Sequence, residues 1–152
     1  IKNNSGESHF EPLFTQNFQN QICYIKFYEK KDSNSNNLLI LGFTNGNIEI
    51  FKVFVNEGSH IARELMENLC ILKVHKKPIV GVAINFTIGY VYSVARESNI
   101  NISELNYQSL MRSIPITKKE ITNCFYEEDQ LKFYLADESG SIWIVDLMHS
   151  VN

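Results

Sequence analysis

LGFTNGNIEIFKV (Leu41–Val53), SVARESNINISEL (Ser93–Leu105) and LADESGSIWIVDL (Leu135–Leu147) are one pattern written three times. Each copy is a short apolar run, a tight polar turn and a strand of alternating β-branched residues. Gly46, Ser98 and Gly140 mark the turn, and isoleucines follow at +2 and +4: Ile48/Ile50, Ile100/Ile102 and Ile142/Ile144. Phe51, Ser103 and Val145 stand at +5, ahead of Lys52, Glu104 and Asp146. Positions 46, 98 and 140 place the turns 52 and 42 residues apart. A period of roughly 40 residues with four short strands per unit is the mark of a β-propeller blade.

Working outward, each unit divides into four strands. The first unit predicts strands at Leu13–Thr15, Ile22–Tyr28, Leu38–Phe43 and Asn47–Phe54. In the second they are Cys70–Val74, Ile79–Ile84, Tyr90–Ala95 and Asn99–Leu105, and in the third Leu110–Ile114, Ile121–Tyr126, Lys132–Ala136 and Ser141–Leu147. Asn45-Gly46 is a strong hairpin signal, since both residues take positive φ cheaply. Lys30–Asn37 (KKDSNSNN) reads as a polar loop. The longer first spacing comes from an insertion at about residues 55–69. There Ser59 can cap a short amphipathic helix over Ile61–Asn68, with Ile61, Leu65 and Leu69 at i, i+4 and i+8. Such a helix would pack on a blade edge or dock a partner.

The expectation is an all-β chain: a partial β-propeller of three four-stranded blades with one short helix between the first and second. The units run over about residues 12–54, 70–105 and 110–147, all within one propeller, 1–152. Three units are too few to close a ring of ~4–8 blades, so the chain is expected to be part of a larger propeller or to complete one by assembly. Ile100 and Ile142 are expected on inward strand faces, where Asp would disrupt folding.

The remaining composition excludes more than it assigns. With 152 residues, 44% hydrophobic, the chain can build a real core, and its net charge of −3 gives no overall pull toward nucleic acid or membrane. Cys23, Cys70 and Cys124 form no C-x-x-C pair, and Cys23 and Cys124 in apolar runs read as small hydrophobes, which fits a reducing compartment. The polar start shows no signal peptide, no apolar run is long enough to span a bilayer, and the chain begins at Ile1 like a piece of something longer.

The pattern resembles the WD-repeat β-propellers. His75-Lys76-Lys77-Pro78-Ile79 matches the His of the family's Gly-His turn, followed four residues later by the first apolar position of the inner strand, and Asp146 matches the Asp of its closing Trp-Asp dipeptide. The Trp position holds Phe51, Ser103 and Val145, and the His position holds Phe18 in the first unit and Thr117 in the third. The family's His, Ser/Thr, Asp and Trp hydrogen-bond set is therefore complete in no unit. In unit order the chain is also similar to WD-repeat proteins that carry an FYVE zinc finger, but no such finger lies in these residues. The resemblance implies a cytoplasmic, non-catalytic scaffold binding proteins. The alternative it implies is the propeller of an endosomal phosphoinositide-binding adaptor, peripheral on endosomal membranes, that reaches the membrane only through other domains.

No catalytic constellation or cofactor motif is present. His9, His60, His75 and His149 lack zinc spacing, and no P-loop, Rossmann or nucleophile-elbow motif occurs. No catalytic residue, metal ligand or cofactor is expected; His75 is expected in a structural turn role. Glu127-Glu128-Asp129 and Asp137-Glu138 read as solvated turn residues. The candidate partner-binding residues are Lys76, Lys77, Arg96, Lys118 and Lys119, which the blade frame gathers on one loop face. Such a patch would steer acidic peptides, phosphorylated segments or anionic lipid headgroups, and Glu97, Glu120 and Glu138 nearby are expected to weaken it. Without interleaved aromatics it does not suit nucleic acid. Trp143, Phe54, Tyr92 and Tyr134 are expected to pack between blades, with Trp143 as a partner contact in the alternative.

Overall fold

A computed structural model describes residues 15–29, 37–54 and 66–148, which form antiparallel sheets in succession. The first sheet contains β1 (Ile22–Tyr28), β2 (Asn37–Phe43), β3 (Asn47–Val53) and β4 (Met66–Lys73). The second contains β5 (Ile79–Asn85), β6 (Tyr90–Ala95), β7 (Asn99–Glu104) and β8 (Ser109–Pro115). The third contains β9 (Ile121–Glu127), β10 (Lys132–Asp137) and β11 (Ile142–Asp146). In each sheet the strands pair in chain order.

The three copies of the pattern superpose in register. Leu41 pairs with Glu49 in the first sheet, Ser93 with Asn101 in the second and Leu135 with Trp143 in the third. Sheet and sequence unit are offset by one strand. β4 pairs with β3 from Val53↔Met66 to Asn47↔Lys73, closing the first sheet's outer edge, and β8 does the same for the second. The strands expected to open units two and three therefore complete the sheets before them, and among the described residues the third sheet shows three strands instead of four. Sequence order is the same in either grouping, so it could not decide between them.

The helix expected over Ile61–Asn68 is corrected at its end. Met66, Glu67 and Asn68 belong to β4, opposite Val53, Lys52 and Phe51; residues 61–65 lie outside the described residues. An open strand edge beside these residues offers hydrogen bonds at once, whereas an isolated helix of two turns is marginal in water. Leu13 and Phe14 of the expected first strand, and residues 30–36 of the expected loop, also lie outside the described residues; Thr15 is not in a strand, and Asn37 opens β2.

The turns differ from the expected geometry too. Gly46 N–H donates to Phe43 O at 3.1 Å and Gly140 N–H to Asp137 O at 3.1 Å, with φ of +92° and +87°. Asn45 does not have positive φ. Both turns are tight connections with a left-handed glycine, the longer hairpin type that stands next after the two-residue turn. At Gly46 a Cβ would meet His75 O at 2.3 Å, so this glycine also lets the second sheet's leading loop approach the first sheet's hairpin.

The central strands of the second sheet are apolar on both faces because a sheet packs on each side of it. Leu38, Ile40, Ile48, Ile50, Cys70 and Leu72 of the first sheet bury against Val82, Ile84, Val91 and Ala95 of the second. The other face of the second sheet (Ala83, Tyr92, Val94, Ile100, Ile102) buries against Ile121, Phe133 and Leu135 of the third. Two glycines set the approach. A Cβ on Gly42 would meet Ile79 at 2.6 Å, and one on Gly81 would meet Cys124 Sγ at 2.0 Å.

One strand-face expectation is overturned. Ile100 is fully buried, as are its counterparts Ile48 and Ile50, but Ile142 and Ile144 are 74% and 64% exposed. The frame is the same; what differs is that no sheet covers the third one among the described residues. Among the three cysteines, all free, Cys70 is the buried one, while Cys23 is exposed and Cys124 half-buried. Burial pushes the thiols of Cys70 and Cys124 up to about 11.

Candidate functional site

Four connections meet at one end of the sheets: the β4–β5 loop (74–78), the β6–β7 turn (96–98), the β8–β9 loop (116–120) and the β10–β11 turn (138–141). Backbone bonds tie each to the next. Arg96 N–H donates to Pro78 O at 2.8 Å, Ile121 N–H to Glu97 O at 2.8 Å, and Glu138 N–H to Glu120 O at 2.9 Å. This ladder places Lys76, Lys77, Arg96, Lys118 and Lys119 on adjoining loops, all with exposed side chains.

The charge there is only partly available. Arg96 Nε lies 2.6 Å from Glu120 Oε1 and Lys77 Nζ 3.6 Å from Glu120 Oε2. The Arg96 hydrogen bond and these two cations hold the Glu120 carboxyl below its usual range. Glu97 Oε1 accepts the backbone N–H groups of Lys76 (2.8 Å) and Lys77 (3.3 Å), turning that loop inward. Those bonds and His75 lower the Glu97 carboxyl against the opposing effect of its burial. Lys76, Lys118 and Lys119 form no side-chain ion pair among the described residues, so the net positive part of the face is centred on them.

Lys118 and Lys119 border a shallow hollow of about 520 Å³, also lined by Pro115, Thr117, Asp137 and Trp143. Asp137 was expected to be a solvated turn residue. It is buried and accepts five hydrogen bonds: Trp143 Nε1 (2.9 Å) and Thr117 Oγ1 (3.2 Å) at Oδ2, and Ser139 N (2.9 Å), Ser139 Oγ (2.5 Å) and Ser141 N (3.1 Å) at Oδ1. Ser139 and Trp143, with the backbone amides, hold its carboxyl far below the ordinary carboxylate value. Trp143 is thus neither wholly packed between sheets nor free. Its N–H is fixed by Asp137 while 39% of the residue is exposed on the hollow. Of the other aromatics expected between sheets, Tyr92 is buried, Tyr134 half-buried and Phe54 exposed.

The equivalent place in the second sheet is built around His75, which is buried. Its Nε2 lies 2.8 Å from Ser93 Oγ, its Nδ1 3.4 Å from Glu97 Oε2, and Asn101 Nδ2 donates to Val74 O at 2.7 Å. Burial lowers the imidazole's affinity for a proton, and Glu97 offsets this only in part. Asn101 Nδ2 also lies 3.4 Å from Nδ1, so the neutral ring has polar partners at both nitrogens, one to donate and one to accept.

Spacing could have found the Asp137 network. Thr117 stands 42 positions after His75 and Trp143 42 after Asn101, the same interval that separates the two turns. Asp137 itself corresponds to Ala95, so the repeat gave no reason to expect a buried carboxylate there. Among the described residues no group of three or more His, Cys, Asp or Glu side chains is placed to hold a metal ion, and no helix is long and apolar enough to cross a membrane.

No family model matches the chain, and no curated protein matches it. Solved structures do. The fold is similar to that of the computationally designed Ika8 protein, with a TM-score of 0.58 at 15% identity over 86% of this chain and 34% of that one. The present chain thus spans about a third of the length of the designed protein it matches. At this identity the likeness concerns the fold alone.

Proposed function

We propose that the chain is a non-catalytic sector of a WD-type β-propeller that binds protein partners through the loop end described above, with an acidic or phosphorylated segment as the preferred contact. The observation that carries this reading is the convergence of four connections into one bonded ladder, which holds Lys76, Lys118, Lys119 and the exposed side of Trp143 in fixed relative positions. Rigid presentation reduces the ordering cost of binding. A lysine pair beside an aromatic face provides electrostatic steering and an apolar contact for a peptide. The WD-type assignment is supported by the register shared by three hairpins and by His75 at the position of the family's turn histidine, hydrogen-bonded to Ser93. Lys118→Glu/Lys119→Glu should weaken binding of an acidic peptide at least tenfold in low salt, measured by fluorescence anisotropy. The melting temperature should not change. Equal binding by the wild type and this variant would remove the loop end from consideration.

A further inference from the structure

The two junctions between sheets end in equivalent corners of the frame, and one corner is filled while the other is open. Lys118, Lys119, Ser139 and Trp143 stand 42 positions after Lys76, Lys77, Glu97 and Asn101. At the first corner Glu97 accepts the amides of Lys76 and Lys77 and ties that loop to the β6–β7 turn, over a buried His75 and Asn101. At the second corner Ser139 stands where Glu97 does. Its side chain is too short to repeat the tie, and its hydroxyl donates to Asp137. Lys119 N–H turns instead to Thr117 Oγ1 in its own loop, at 3.0 Å. The hollow of about 520 Å³ lies between that loop and the β10–β11 turn. Trp143 enters it from the face of β11 that carries it opposite Leu135, toward the second sheet, and not from the open face of Ile142 and Ile144.

What fits the hollow follows from how its polar groups are spent. Trp143 Nε1, Thr117 Oγ1, Ser139 Oγ and the amides of Ser139 and Ser141 all donate to Asp137. A phosphate placed there would find those donors taken and would face a carboxylate of its own sign. The surfaces left open are apolar: the exposed part of the Trp143 indole, the Pro115 ring, and Ile116, which packs on the core between the second and third sheets. Positive charge stands only at the mouth, on Lys118 and Lys119. We infer that the hollow seats one large apolar side chain of an extended partner segment, while a carboxylate beside that residue in the same segment is held by Lys118 and Lys119. This inference rests on the loop-end reading and narrows it. The partner carries an apolar residue next to Asp or Glu, and a phosphorylated residue does not enter the hollow. Charge complementarity selects the occupant. The lysine pair turns away a basic segment, Asp137 turns away an anion inside, and the apolar walls give a buried polar side chain no partner.

Trp143 is the single tryptophan of the chain, so its emission reports the hollow directly. The probes are Gly/Ser peptides of about 12 residues with two Asp beside one variable position, which holds Leu, Ala or phosphoserine. Each is titrated to about 2 mM in low salt. The Leu peptide is expected to shift Trp143 emission to the blue and to bind at least about tenfold more tightly than the Ala peptide. The phosphoserine peptide should bind more weakly than the Leu peptide and leave the emission where it is. Lys118→Glu/Lys119→Glu should weaken the Leu peptide by at least about tenfold. Equal binding of the three peptides, lost in the lysine variant and without an emission shift, overturns the apolar seat and leaves the loop-end reading standing. A phosphoserine peptide that binds most tightly and moves the emission makes the hollow an anion site and overturns the inference as well. Leu-dependent binding that the lysine variant does not weaken removes the carboxylate contact, and with it both readings. So does the absence of binding by all three peptides.

Discussion

The first and second sheets fasten the same place in the same frame by opposite means. In the first, Phe18 packs against Phe43 and Phe51 with ring centroids 5.6 and 5.8 Å apart, and Leu41 completes a dry cluster. In the second, the corresponding positions hold His75, Ala95, Ser103 and Ser93, and the fastening is a hydrogen-bond chain from Ser93 through His75 to Glu97. The third repeats the polar solution with other groups, Thr117, Asp137 and Trp143. The lesson is that the strand frame specifies a site to be filled, and that aromatic packing and a satisfied polar network are interchangeable fillings. A half-satisfied network would be worse than either.

The largest effect should separate the covered and uncovered hairpins. Ile100→Asp places a carboxylate in the packed junction between the second and third sheets and should cost at least about 4 kcal/mol, enough to unfold a marginal domain. Ile142→Asp, at the same frame position on the open face, should change the stability of the monomer by less than about 0.5 kcal/mol. Urea melts of both variants at low protein concentration check this. Equal losses would mean that the third sheet is covered in solution even as a monomer.

Next in size is the comparison of fillings. Phe51→Ala removes the ring that bridges Phe18 and Leu41 and should cost about 3 kcal/mol. Ser103→Ala, at the equivalent position of the second sheet, should be neutral or stabilising, because the Ser103 hydroxyl is buried without a hydrogen-bond partner among the described residues. A clear loss of stability in Ser103→Ala would show that this hydroxyl belongs to the second sheet's network after all.

The approach of one sheet to the next gives a smaller effect. Gly81→Ala drives a methyl into Cys124 Sγ and should cost about 1–3 kcal/mol as overpacking. Adding Cys124→Ala should return part of it, since the collision is with that sulfur. If the double variant is no more stable than the sum of the single changes predicts, the strain lies in the backbone.

How far the sequence carried these conclusions depends on the range of the interaction. The hairpins were legible because turn and alternation are local, and Ile48, Ile100 and Ile142 announce the frame within a few residues. Which sheet β4 and β8 join is a pairing between strands separated by a connection, and the order of strands is silent on it. Exposure of Ile142 depends on a neighbour the hairpin itself does not encode. The lysines fell on adjoining loops as the frame required, yet Glu120 binds Arg96 and Lys77 across the connections that sequence keeps 24 and 43 residues apart. Asp137 was missed in part for the same reason: Ser139 and Ser141 are local turn donors, but Trp143 reaches it only across the hairpin and Thr117 only when the β8–β9 loop arrives beside it.

The smallest effect is the one that distinguishes the two fillings by pH. His75 binds its proton less readily in the folded chain than the ordinary value of 6.5, because it is buried. Its neutral form therefore favours the native state, fully above about pH 6.5. As pH falls below that value the unfolded chain takes up a proton that the native chain resists, and stability declines toward the lower folded pKa. Glu97 and Asp137, both lowered on folding, lose their contributions only further down, as pH falls below their ordinary values of 4.5 and 3.8. Thermal melts at pH 7.5 and 5.5 should show a fall that His75→Gln reduces, since glutamine can keep a hydrogen bond to Ser93 and has no proton to gain in this range. Phe51→Leu, which alters the dry filling of the first sheet, should leave the same pH slope as the wild type. A slope that His75→Gln does not change would mean that the imidazole is not the group that titrates, and that the two fillings differ in chemistry but not in their response to acid.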